Sequence, residues 1–143
     1  MPDPSGRRVD ANVVLRYLTG EPPDQAARAA RLLHAVADGE LTVLLDEIVV
    51  AEVVWTLRSF YRVAKDEIVA ALRDLLAADG IASPEKPTLL AALAIYGERN
   101  VKFIDALLAA RVLASGRSEI WSFDRDFDRI PGIRRVEPRR RVD

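Results

Sequence analysis

At 143 residues, half of them hydrophobic, the chain has the length of one domain and enough apolar material for an ordinary core. It contains no cysteine, which excludes a disulfide framework and a thiolate metal site and fits a reducing cytoplasm. A net charge of −1 argues against nucleic-acid binding through a broadly basic surface, and no apolar run approaches the roughly 20 residues that span a bilayer.

The opening Met1-Pro2-Asp3-Pro4-Ser5 does not read as a signal peptide, so a soluble, cytoplasmic protein is expected, with loose ends at about 1–6 and 137–143. Arg7-Arg8-Val9 reads as a brief first strand that stops at Asp10-Ala11-Asn12. Val13 to Leu18 then makes one or two helical turns capped by Asn12. After the turn Gly20-Glu21-Pro22-Pro23, the residues Ala26, Ala29, Ala30, Leu33 and Ala37 recur at helical spacing, and Gly39 ends that helix. His34, the only histidine, sits on it without a partner visible in the sequence and reads as a surface or boundary residue.

Leu41 to Leu45 is a buried-type strand, and Asp46-Glu47 opens a strongly apolar helix to about Tyr61, both acids favouring its positive end. A further helix covers about Asp66 to Ala78, with Asp79-Gly80 as its stop and Ile81-Ala82 as a short strand. The segment after Pro87 is helical through about Glu98, and Phe103 to Ser115 is the next helix, closed by Gly116. Ile120, Trp121 and Phe123 form a strand that runs into Asp124-Arg125-Asp126-Phe127-Asp128. The turn Arg129-Ile130-Pro131-Gly132 precedes a last strand, Ile133 to Val136. Strands alternating with helices predict a single three-layer α/β/α domain on a short, mainly parallel central sheet.

Four acids stand out in apolar settings. Glu52 interrupts Ile48-Val49-Val50-Ala51-Glu52-Val53-Val54-Trp55, with Ile48, Val49, Trp55 and Thr56 as its helical neighbours, a costly place for a carboxylate unless it is paired or bound to metal. A buried arginine would satisfy it equally. Asp105 lies in the first turn of an apolar helix, where capping alone would explain it. Asp10 and Asp124 each follow a strand end, the place where open α/β sheets hold their ligands, although Asp10 could equally form a turn with Asn12. Gathered in one cleft, such acids would need a cation, and oxygen ligands without cysteine or a suitable histidine select Mg²⁺ or Mn²⁺.

With these residues in place, the chain resembles the PIN-domain ribonucleases, most closely the VapC-type toxins, over almost its whole length. The likeness is carried by Val9-Asp10-Ala11-Asn12-Val13-Val14-Leu15-Arg16-Tyr17-Leu18, Val50-Ala51-Glu52-Val53-Val54-Trp55-Thr56-Leu57, Phe103-Ile104-Asp105-Ala106-Leu107-Leu108-Ala109-Ala110 and Ser122-Phe123-Asp124-Arg125-Asp126-Phe127. Each segment alone is weak, and the four in order are specific. The resemblance implies a metal-dependent endoribonuclease that hydrolyses RNA phosphodiester bonds with activated water. Asp10, Glu52, Asp105 and Asp124 are then the catalytic and metal-binding acids, Asp126 a conditional further ligand, and Asn12 and Ser122 supporting residues. It also implies a small antitoxin partner, a structured RNA substrate such as tRNA or ribosomal RNA, and a homodimer. Ala11 departs from the family, which usually has Thr there.

Other readings fit less well. Asp124, Asp126 and Asp128 have the spacing that starts a calcium loop, but Arg129 and Arg135 stand where that loop needs Gly and Glu. A haloacid-dehalogenase-like phosphatase would carry a second Asp where this chain has Asn12. A non-catalytic PIN-like module acting by antitoxin and operator docking would gain no thermal stability from Mn²⁺. Arg16, Arg58, Arg62, Arg99 and Arg125 flank the acidic segments and could contact phosphate or serve as ordinary surface pairs.

Overall fold

Burial of the expected apolar stripes organises two units, divided between Lys86 and Pro87, in a computed structural model that describes residues 6–139. The loose segments expected at 1–5 and at the very end, with Arg140 and Arg141 of the basic tail, lie outside the described residues.

In the first unit, helix α1 spans Ala11–Thr19 and helix α2 spans Pro23–Ala37. Strand β1 is Val43–Leu44, helix α3 Glu47–Ser59, helix α4 Lys65–Ala77 and strand β2 Ile81–Ala82. The β1 and β2 strands pair in parallel, Val43 opposite Ile81 and Leu44 opposite Ala82. The expected first strand is reduced to one parallel bridge between Arg8 and Leu44, with the Leu44 amide donating to the Arg7 carbonyl at 2.7 Å. Val14, Leu33, Val36, Val53, Leu72 and Leu76 are buried in this unit. At the end of α1, Gly20 adopts φ 74° and its amide closes the helix onto the Arg16 carbonyl, a left-handed cap that glycine takes without steric cost.

In the second unit, helix α5 is Lys86–Glu98, its first residue lying on the other side of the division. Helix α6 is Phe103–Ala114, strand β3 Glu119–Trp121 and strand β4 Arg134–Val136. A 3₁₀ turn, Arg125–Arg129, lies between the strands. Again the pairing is parallel, Ile120 opposite Arg135. Leu89, Leu93, Ala106, Ala109, Ile120 and Phe127 are buried here, and Tyr96 meets Phe103 edge to face at 5.8 Å.

The chain is α/β with parallel strand pairs, as expected, but the strands are only two or three residues long and the helices carry most of the buried surface. Among the described residues no helix is long and apolar enough to cross a membrane.

Candidate functional site

The apolar strand β3 delivers the chain into Ser122-Phe123-Asp124, where successive hydrogen bonds fold the backbone back on itself. The Ser122 amide donates to the Val136 carbonyl on β4 at 3.0 Å. Its Oγ accepts from the Asp124 amide at 2.9 Å, and Asp124 Oδ1 in turn accepts from the Asp126 amide at 2.9 Å. Asp124 is therefore the side-chain cap of the 3₁₀ turn, and Asp126 follows it at a fixed distance.

Helix α6 brings the third acid. Asp105 is its third residue, on the turn where the helix dipole favours negative charge, while the cap position is taken by Lys102 without a side-chain cap bond. One oxygen from each of Asp105, Asp124 and Asp126 lies within 4.8 Å of the others. The Asp105 carboxyl is held above the usual carboxylate range, first by burial and then by the nearby Asp124, against an opposing pull from Lys102, with Asp126 adding the smallest push. The charges of the cluster are thus incompletely compensated within it.

Two arginines, which the sequence reading did not assign to the site, hold the cluster from behind. Arg129 NH1 donates to Asp126 Oδ1 at 2.7 Å and to the Asn100 carbonyl at 3.0 Å. Arg135 donates through Nε and NH2 to the two oxygens of Asp128, at 3.0 and 3.4 Å, and through NH1 to the Ser122 carbonyl at 3.1 Å. Its side chain is only 12% exposed, and the hydrogen bonds it donates to Asp128 hold the guanidinium still more firmly in its charged form. Asp128 is an exposed residue of the 3₁₀ turn beside Arg129, as expected of a turn or surface residue, and it is paired with Arg135. The i, i+3 spacing of Asp126 and Arg129 was a weak signal for their contact. Arg135 left no signal, because its contact depends on how β4 aligns with β3.

The three-carboxylate arrangement fits a hard divalent ion. Ligand oxygens about 2.1 Å from one octahedral ion stand at most about 4.2 Å apart. A cluster within 4.8 Å needs only a small contraction.

In the first unit, Asp10 is exposed and caps α1, its Oδ1 accepting from the Val13 amide at 3.2 Å. The cap expected of Asn12 is therefore corrected: Asp10 supplies it, and Asn12 lies inside the helix with an exposed side chain. Ala11 is 3% exposed, so a threonine hydroxyl there would be buried and would need its own partner.

Glu52 is also corrected in its setting. It is exposed on α3 together with Ile48, 74% exposed, and Trp55, 67% exposed, while Val50, Val53, Val54 and Leu57 take the buried face. Its exposure leaves this carboxylate no need of a buried arginine. Among the flanking arginines, Arg16 is tied to Gln25 by a 2.8 Å hydrogen bond between α1 and α2, and Arg58 donates to the Val63 carbonyl at 3.4 Å. A pocket of about 240 Å³, lined by Leu45, Asp46, Glu47, Ser83, Pro84 and Glu85, opens at the carboxyl ends of β1 and β2. The sequence reading used Asp46 and Glu47 only as a helix start.

The PIN domain family profile matches residues 8–133. The chain is 24% identical over 130 residues to a VapC ribonuclease of Aquifex aeolicus (strain VF5), an alignment covering 91% of this chain and 95% of that protein.

Proposed function

This chain belongs to the PIN-domain family, and on that premise we propose that it is a divalent-metal-dependent endoribonuclease, the toxin of a toxin–antitoxin pair, working in the cytoplasm as one PIN domain. The observation that carries the reading is the meeting of Asp105, Asp124 and Asp126 just beyond the carboxyl end of β3. The unbroken family match across residues 8–133 supports treating the whole chain as one working domain.

In this reading Asp105 and Asp124 hold a Mg²⁺ or Mn²⁺ ion, and the family resemblance implies Asp10 and Glu52 as further catalytic acids. When bound, the ion supplies charge for a phosphate under in-line attack and makes water a better nucleophile. The protein's own contribution is positional. Ser122 Oγ holds the Asp124 backbone, and the Asp126 amide holds one oxygen of its carboxylate and leaves the second for the ion. Helix α6 presents Asp105 from a rigid element, so the cluster needs no large rearrangement to bind.

The exposed acids lie where a polyanion would be repelled without the cation, so in this reading the ion binds before RNA. An antitoxin and a second copy of the chain are the proposed partners. Large apolar side chains left in solvent support this: Ile48, Trp55 and Phe60 in the first unit, Ile104, Leu108, Trp121 and Phe123 in the second. tRNA and ribosomal RNA are the first substrates to test.

The test is to sequence the ends of RNA cut by the purified, antitoxin-free chain with and without chelator, alongside Asp124→Asn. Defined cuts that need Mn²⁺ and vanish in the variant are expected. Equal cutting by the variant would remove Asp124 from the chemistry. A chain that cuts nothing and gains no stability from Mn²⁺ would instead be a PIN-like binding module.

A further inference from the structure

We propose that Arg129 is the acidic cluster's own counter-cation: it keeps Asp126 paired, so that one divalent ion is taken by Asp105 and Asp124 while Asp126 stands outside its coordination. This rests on reading the cluster as a divalent-ion centre.

Arg129 is not a loosely placed surface arginine. The same NH1 group that reaches Asp126 at 2.7 Å also donates to the Asn100 carbonyl at 3.0 Å, which anchors the guanidinium to the segment ahead of α6. The Asp126 backbone is held as well, its amide donating to Asp124 Oδ1. A guanidinium does not give up its proton, so it and a divalent ion competing for one carboxylate repel each other at close range.

The other two acids differ in kind: among the described residues Asp124 Oδ1 accepts a neutral amide, and Asp105, half-buried on α6, brings an oxygen to within 4.8 Å of those of Asp124 and Asp126 with no arginine hydrogen-bonded to it. The unmet demand for positive charge therefore falls on Asp105 and Asp124. Arg135, the other arginine beside the cluster, is engaged with Asp128, Glu137 and the Ser122 carbonyl and does not reach Asp126.

Mn²⁺ binding to the full chain, followed at low salt by the electron paramagnetic resonance signal of free Mn²⁺, tests this without any measurement of RNA cleavage. The wild type should bind one ion. Arg129→Gln should tighten binding roughly three- to tenfold, as expected for removing one charge within several ångströms of the ion. Asp126→Asn should weaken it by a similar factor, because Arg129 is then left uncompensated. The double variant, which removes a neutral pair, should return to within about twofold of the wild type, and Arg129→Lys should bind like the wild type.

Weaker binding by Arg129→Gln, with a double variant far weaker than the wild type, would overturn the proposal and make Arg129 a brace for a three-acid site. Thermal melts in chelator show whether each variant is folded. If the wild type itself binds no Mn²⁺, the divalent-ion reading fails and this proposal with it. Binding with the reversed order of variants defeats this proposal alone.

Discussion

Asp105→Asn is nearly isosteric and removes one charge from the cluster, so it should change stability in opposite directions without and with a divalent ion. Two like unit charges 4.8 Å apart repel by about 0.9 kcal/mol in water and about 3.5 kcal/mol at an effective dielectric of about 20. The exposure of Asp124 places the true figure near the lower end. Against this, the charge gains about 0.3–1 kcal/mol from the N-terminus of α6. The net expectation in chelator is a variant more stable than the wild type by about 0.5 kcal/mol, a rise of about 1–3 °C in Tm.

With Mn²⁺ at about 100 times its Kd, the wild type should gain about 2.7 kcal/mol and the variant much less, so the order reverses. The pH dependence follows from the raised carboxyl of Asp105. Folded protein binds this proton more readily than unfolded chain, so the penalty is fully present at neutral pH. It is relieved as pH falls through the raised value toward 3.8, where the wild type and the variant should converge. Differential scanning fluorimetry at pH 7 and pH 4.5, with chelator or Mn²⁺, measures all four conditions. A variant less stable than the wild type in chelator, or a Mn²⁺ gain equal in both proteins, would refute the reasoning.

Glu52→Gln should leave stability within about 0.5 kcal/mol because the side chain is exposed, yet it should depress RNA cleavage at least tenfold; urea melts and a cleavage assay separate the two. Ser122→Ala removes the acceptor of the Asp124 amide and should cost about 1 kcal/mol with a several-fold loss of Mn²⁺ affinity, read by melts and titration. At Gly80 an added Cβ would lie 2.3 Å from the Val36 carbonyl oxygen and 2.5 Å from that of Leu41. Gly80→Ala should therefore destabilise by about 1–3 kcal/mol in urea denaturation, independent of metal.

Helices with a continuous buried stripe were legible to within two residues: the segment opened by Asp46-Glu47 became Glu47–Ser59, and that from Phe103 became Phe103–Ala114. The strand toward Asp124 was legible because its apolar run ends sharply. The opening strand and the cap of α1 were not. Asp10 and Asn12 are both good caps, and the choice between them depends on where the bridge from Arg8 to Leu44 releases the chain. Glu52 was misread because an apolar helix sequence does not say which face is covered, and the exposed row Ile48, Glu52, Trp55 is as hydrophobic as the buried one apart from its acid.

Helix positions, the parallel α/β pattern and the identity of the acids were legible along the chain, since these depend on periodicity, chain direction and residue chemistry within a few positions. Folding was needed to bring Asp105, Asp124 and Asp126 together, to tie Asp126 to Arg129 and to set Arg135 against Ser122 and Asp128. Most of those contacts join α6, the 3₁₀ turn and β4, which come together through side-chain packing and strand register across intervening chain. The charge balance of the cluster, unlike its membership, depends on distances of a few ångströms that spacing along the chain does not encode.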